Sequence, residues 1–376
     1  MKLAGPAAVG LLGGGLDACS PSHGGAFAQT QPLQTLAART GRIFGTEVLH
    51  KELALDPAYA ALVKSQCGQI TPGLELKWGV FQPTPDEVQT GPVEWLLRWA
   101  EASGLSVRGH TLLWYRNQPK WALSALLENA HAVVARRITE PMLLYKGRIV
   151  EWDVVNEAIE PNDGRSDGLR NSIFLDTLGP NYIGDAFKLA RQADPGAKLF
   201  YNEYGMEYDT RDAERRRTCL LRLLEKLKHD GAPVDGLGIQ GHLYADTPLH
   251  VRAFRNFLNE AAGMGLTIKV TEFDVRDHFA VLTRFGALDG RISDAVQRYL
   301  DILLDVPAVS GLVTWGLANR YSDLRVSNRW DSPLPYDDAL EPKAMRAAVA
   351  DAFLDARIVH RDPGPRTPGP SANIPA

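Results

Sequence analysis

From residue 42 onward the chain alternates between two kinds of segment. Short apolar runs, often ending in polar or charged residues, occupy 42–48, 69–78, 106–114, 149–158, 198–204, 236–243, 268–275 and 309–317. Between them lie longer stretches with apolar residues at helical spacing, at 56–67, 92–103, 124–145, 174–193, 211–230, 248–263 and 291–304, and 341–356 closes the series. Eight strand-like and eight helix-like segments in strict order predict an α/β fold of one type, a single (β/α)8 TIM barrel spanning 42–358. Pro92 opens one helix, where its missing N–H costs nothing, and Gly104, Gly231 and Gly265 each follow a helical stretch. An open doubly wound sheet would carry a glycine-rich phosphate turn after a strand. Gly13-Gly14-Gly15 precedes every strand, so it cannot serve.

The segments outside the barrel have their own signatures. Lys2 is followed by an uncharged run over 3–16, too short to cross a bilayer but suited to a signal-peptide core. Ala26-Phe27-Ala28 has the form of a cleavage site, so 1–28 reads as a leader and 29–41 as an N-terminal segment. Leu16-Asp17-Ala18-Cys19 resembles a bacterial lipoprotein box, although Asp17 suits it poorly; Cys19 is a candidate lipid anchor. A secreted or periplasmic location is expected, with no transmembrane span, because no later run reaches the ~18 apolar residues a span requires. The tail 359–376 is rich in Pro and Gly and is expected to be disordered. The formal charge is −4, from 41 basic and 45 acidic residues with no basic block, which argues against a nucleic-acid partner. Three cysteines are too few and too scattered for a disulfide framework or a zinc site. Cys67 and Cys219 read as buried free thiols.

In such a barrel the chemistry sits at the C-terminal ends of the strands. Those ends carry Glu75, Lys77 and Trp78, then His110 and Trp114, Asn156 and Glu157, Asn202 and Glu203, Gln240 and His242, Glu272 and Asp274, and Trp315 and Asn319. Carboxylates, amides, imidazoles and indoles at one mouth are the mixture that glycoside hydrolysis needs. Two carboxylates flank the bond, polar side chains bind hydroxyls, and indole faces, here Trp78, Trp114 and Trp315, stack on sugar rings. Glu157 and Glu272 could face each other across the axis.

The ordered motifs carry a resemblance. They are Gly109-His110-Thr111-Leu112-Leu113-Trp114, Trp152-Asp153-Val154-Val155-Asn156-Glu157-Ala158, Tyr201-Asn202-Glu203-Tyr204, Gly238-Ile239-Gln240-Gly241-His242-Leu243, Thr271-Glu272-Phe273-Asp274 and Thr314-Trp315-Gly316. With them, residues 42–356 resemble glycoside hydrolase family 10, the endo-β-1,4-xylanase family. The resemblance implies a retaining hydrolase of xylan or its oligosaccharides, without cofactor or metal, expected to be a monomer. It implies Glu157 as acid/base and Glu272 as nucleophile, Asn156 on the sugar 2-hydroxyl, and His242 orienting Glu272 with Asp274 behind it. Lys77, His110, Trp114 and Gln240 would line the same sugar site, Trp315 would form its apolar wall, and Tyr201 would support the set. Two close carboxylates split their titration, so one can enter protonated while the other is ionised.

Four departures bear on recognition. The family pattern Thr-Pro-Glu-Asn-x-Met-Lys-Trp reads here Thr71-Pro72-Gly73-Leu74-Glu75-Leu76-Lys77-Trp78. The Glu and Asn that bind the second sugar on the non-reducing side are thus Gly73 and Leu74, so this more apolar subsite is expected either to be weak or to accept a different sugar or an apolar substituent. Tyr115 stands for a usual His, Asn117 for a usual Gln, and Asp323 for a usual Trp, with Trp330 a candidate indole nearby. Competing readings are a β-glycosidase of the same fold acting on another or a decorated glycan, and a carbohydrate-binding protein without catalysis. A metal-dependent hydrolase is weaker, since no His-x-His pair ends the first strand.

Overall fold

The eight apolar runs each contribute one parallel strand: β1 (Ile43–Val48), β2 (Gln69–Pro72), β3 (Ser106–Gly109), β4 (Glu151–Asn156), β5 (Lys198–Glu203), β6 (Gly236–Ile239), β7 (Thr267–Arg276) and β8 (Val309–Thr314). They come from a computed structural model that describes residues 31–280, 285–327 and 331–356. Each strand pairs with the next, and β8 pairs back onto β1 with Ile43 opposite Gly311, which closes the barrel. Two short pieces, Leu113–Trp114 and His242–Tyr244, continue the ends of β3 and β6. The expected (β/α)8 barrel is therefore the observed fold.

The helices form where the spacing predicts them, with local corrections. Asp56 accepts from the backbone N–H groups of Ala58 and Tyr59 and so starts the helix Pro57–Gln66. The stretch 174–193 divides into Ile173–Leu178 and Tyr182–Ala193 at Gly179. The segment 29–41 contains a helix, Leu33–Arg39, whose Leu33, Leu36 and Ala37 are buried. Its Gln34 Oε1 accepts from the Phe44 backbone N–H at 2.9 Å, which ties this helix to β1. No helix of the described residues is long and apolar enough to cross a membrane.

The barrel interior carries a column of charge. Lys269 on β7 is 1% exposed; it lies 3.0 Å from Gln69 Oε1 and 2.6–2.7 Å from the Glu151 carboxylate. Arg108 on β3 meets Glu151 at 2.9 Å, contacts Asp153, and lies over the Phe200 ring. Asp153 in turn faces His110 Nδ1 at 3.0 Å. Each buried charge is paired with an opposite one, as a low-dielectric interior requires.

A second buried cation fixes the turn after β3. Arg137, 2% exposed, donates to the carbonyls of Leu112 (2.9 Å), Leu76 (2.7 Å) and Thr111 (2.7 Å), and its guanidinium lies 5.7 Å from the Trp78 ring. Burial pushes its pKa down to about 9. The Arg137→Met variant leaves three carbonyls without their donor, so it should lose about 3 kcal/mol of stability. Chemical denaturation of both proteins measures this; a loss within 0.5 kcal/mol would refute the role.

Candidate active site

The strand ends bring Lys77, His110, Trp114, Asn156, Glu157, Gln240, His242, Glu272 and Trp315 around one cavity of about 440 Å³. Tyr115, Arg116, Tyr204, Gly205, Tyr208, Tyr244 and Arg276 complete its wall. All nine expected cavity residues are thus brought together. Volume alone does not mark the site: a larger hollow of about 870 Å³ lies outside the barrel, between Arg211–His229 and Val251–Gly263.

Glu272 sits on β7 and is 5% exposed. Its Oε1 accepts from Asn202 Nδ2 at 2.7 Å, and its Oε2 lies 3.3 Å from His242 Nε2. His110 Nδ1 is 4.0 Å from the same carboxylate. Burial alone would favour the neutral acid. The His242 hydrogen bond and the charges of His110, His242 and Lys77 outweigh it and hold the Glu272 pKa down at about 2. His242 is placed by Asp274, whose Oδ2 is 2.8 Å from Nδ1. Burial pushes His242 down, but Asp274 and then Glu272 raise it to about 10, so both ring nitrogens carry protons. Asp274 therefore stands where the sequence puts it, behind His242.

Glu157 follows β4 and is half-buried. Its Oε1 accepts from Gln240 Nε2 at 2.9 Å and from Asn156 Nδ2 at 3.3 Å. Asn202 Nδ2 also donates to Asn156 Oδ1 at 2.9 Å, so two carboxamides link the two carboxylates. The backbone of Glu157 has φ 57°, a region that L-residues other than Asn and Asp rarely enter. Neighbours hold it there. Arg170 Nε donates to the Glu157 carbonyl at 2.7 Å, and the Glu157 N–H donates to the Asn202 carbonyl at 2.9 Å. Tyr201 supports this turn from below: its hydroxyl accepts from the Ala158 N–H at 3.0 Å and donates to Glu203 Oε2 at 2.9 Å.

The structure revises several expectations. Trp78 stacks on no sugar site; it is 4% exposed and packs on Trp121 and Phe174 in the core. The run 69–78 stops being a strand at Pro72, and Trp78 opens a short inward-packed helix. The gap at Gly73 is not apolar. A Cβ on Gly73 would stand 1.9 Å from Glu47 Oε1, so a carboxylate from β1 occupies that space. Glu75 is buried, and its Oε1 accepts from the His50 N–H at 2.6 Å. Tyr115 lies under the Arg170 guanidinium at 4.1 Å, so it is part of the support of Glu157. Asn117 has φ 64°, which asparagine tolerates, and its Oδ1 accepts from the Gly79 N–H at 3.0 Å. Asp323 is exposed. Trp330, the leader with Ala26-Phe27-Ala28 and Cys19, and the tail 359–376 lie outside the described residues. Cys67 is buried and Cys219 half-buried, and both are free.

Asn202, Glu203 and Arg170 complete the site from beyond the residues assigned to it above. The Tyr-Asn-Glu-Tyr motif signals the first two; Arg170, in a loop, carries no sequence signal.

A (β/α)8 barrel with two amide-linked carboxylates at its C-terminal mouth defines a glycoside hydrolase. The sequence matches the glycosyl hydrolase family 10 pattern over residues 32–352, and the chain belongs to that family. A β-1,4-xylanase of Dictyoglomus thermophilum is 33% identical over 301 residues, covering 76% of this chain and 82% of that protein. Endo-1,4-β-xylanase A of Phanerodontia chrysosporium is 32% identical, covering 79% and 71%. Among solved structures, xylanase 10B from Thermotoga petrophila RKU-1 in complex with xylobiose superposes with a TM-score of 0.78 at 29% identity, covering 86% of this chain and 98% of that one.

Glu203 and Glu207 are 0% and 1% exposed. Burial, then the charge of Glu157, raises Glu203 to about 7 against the pull of Arg216, and burial raises Glu207 to about 7. Between the ordinary glutamate pKa of about 4.3 and 7 the unfolded chain ionises these groups while the folded chain keeps their protons. Their stabilising contribution is therefore full below about pH 4.3 and is lost as pH rises through 7. The melting temperature should fall between pH 5 and 8, and Glu203→Gln should flatten that slope. Calorimetry across this range checks it; an unchanged slope in Glu203→Gln rules out the contribution.

Proposed function

We propose that the chain hydrolyses β-1,4-xylosidic bonds with retention of configuration, using Glu272 as nucleophile and Glu157 as acid/base. The observation that carries this reading is the unequal treatment of two linked carboxylates. Glu272 is wrapped in donors that keep it ionised, while Glu157 faces the cavity on a turn fixed by its backbone. The family and its xylanase relatives support the substrate class.

In the first step a Glu272 oxygen forms a bond to the anomeric carbon while the bond to the leaving oxygen breaks. Glu157 gives its proton to that oxygen, so the leaving sugar departs neutral. In the second step Glu157 takes a proton from water, the water oxygen bonds to the anomeric carbon, and Glu272 leaves as a carboxylate. In this reading Asn156 bonds the 2-hydroxyl; its Oδ1 accepts from Asn202 Nδ2 at 2.9 Å and from Gln240 Nε2 at 3.4 Å, which supports that orientation. The dispositions of Lys77, His110 and Trp315 suit them to the same sugar; Lys77 Nζ lies 5.7 Å from the Trp315 ring. Export of the chain, with 1–28 removed, belongs to the same proposal.

A second reading, a β-glycosidase of the same mechanism that prefers short or decorated substrates, is favoured by one observation: Glu47 stands where the second-sugar residue of the family would project.

Proton NMR of fresh hydrolysate of xylo-oligosaccharides should show the β-anomer first; an initial α-anomer would exclude double displacement. Glu272→Gln should lower kcat by roughly 10⁴-fold or more, because no other group can bond the anomeric carbon. Undiminished turnover in that variant would remove Glu272 from the mechanism. Glu157→Ala should lose far more activity on xylan than on a dinitrophenyl xyloside, whose leaving group needs no proton. Equal losses on the two substrates would remove Glu157 from the acid role.

A further inference from the structure

We propose that the Glu47 side chain closes the pocket for a second sugar on the non-reducing side of the cleaved bond, leaving room there for one sugar. This rests on the glycosidase reading above and deepens it.

The argument is one of direction and space. Glu157 must reach the leaving oxygen, so the leaving part of the substrate extends over its side of the mouth. That side carries Tyr115 and Tyr204, both held by Arg170. The attacked sugar lies against Glu272. Any further sugar on its non-reducing side must pass Lys77 and Trp315 toward the ends of β1 and β2.

Glu47 stands in that path. It is the fifth residue of β1, and in the β1–β2 register it lies opposite Thr71, two residues before Gly73. Its carboxylate fills the space above Gly73, with Oε1 1.9 Å, Cδ 2.6 Å and Cγ 2.7 Å from where a Cβ would sit. Its Oε2 is 4.0 Å from the Cβ point of Gly316, beside Trp315. A side chain at position 73 and Glu47 in this conformation exclude each other. Glu47 is 8% exposed, and the cavity of about 440 Å³ ends at Lys77 and Trp315 without reaching Glu47 or Gly73. A carboxylate reaching out to a sugar would line that cavity; this one is packed beneath its rim.

Its surroundings suit a packed, neutral group. Burial, then the charges of Glu52 and Asp323, raises the Glu47 pKa well above the ordinary range; Lys77 opposes this and Glu75 adds to it. A protonated carboxyl can fill space without a counter-ion.

The test compares kcat/KM for an aryl β-xyloside and the matching aryl β-xylobioside, which differ by one sugar on the non-reducing side. In the wild-type protein the xylobioside-to-xyloside ratio should be no more than about threefold and can lie below one, since the added sugar meets Glu47 and finds no pocket. Glu47→Ala should raise the xylobioside-to-xyloside ratio by roughly tenfold or more, and Glu47→Gln, which keeps the volume, should leave it as in the wild type. A wild-type ratio already above tenfold overturns the proposal. So does a folded Glu47→Ala protein with an unchanged or reduced ratio. If Glu47→Ala fails to fold, the wild-type ratio decides alone. If the wild-type protein turns over neither compound, the glycosidase reading itself fails, and this inference with it.

Discussion

Glu272 keeps a negative charge on a residue of which 5% meets solvent. Taking a carboxylate out of water costs several kcal/mol unless partners replace the lost hydration. The partners come from four different strand ends: Lys77 after β2, His110 after β3, Asn202 on β5 and His242 after β6. Three of them have a support of their own. His242 has Asp274, His110 has Asp153, and Asn202 Oδ1 accepts from Thr271 Oγ1 at 2.7 Å. The demand of one charge thus spreads through the polar interior of the barrel. A closed ring of parallel strands can meet it, because it aims side chains from every strand at one point.

The opposing carboxylate is held differently. Glu157 is placed through its main chain, by a left-handed φ that Arg170, Asn202 and the Tyr201–Ala158 bond maintain. Sparsely populated backbone conformations of this sort cost about 1–3 kcal/mol and persist where the surroundings over-determine them. One carboxylate is fixed by charge and the other by backbone. Both share a single amide lattice.

The barrel was legible because its signal is periodic and repeated. Seven of the eight apolar runs contain their strands, the run 268–275 lies within Thr267–Arg276, and every residue assigned to the sugar site lines the cavity. What the sequence hid follows from side-chain reach. Glu47 reads as a polar interruption within β1; nothing in its spacing shows that its carboxylate covers a glycine 26 residues later. Trp78 ends an apolar run, so it reads as a rim residue, yet the strand stops at Pro72 and the helix that follows turns the indole inward. Arg170 sits in an irregular loop, where periodicity says nothing. Pairings across the fold decide all three, and one-dimensional patterns do not record them.

The charged column inside the barrel joins its two ends. From Gln69 and Lys269, contacts run through Glu151, Arg108 and Asp153 to His110, which stands 4.0 Å from Glu272. No member can be neutralised alone without stranding a buried partner. The floor of the barrel therefore works as an electrostatic lever on its mouth. A substitution made far from the mouth alters the field at Glu272, and change along this line has to come in compensating pairs.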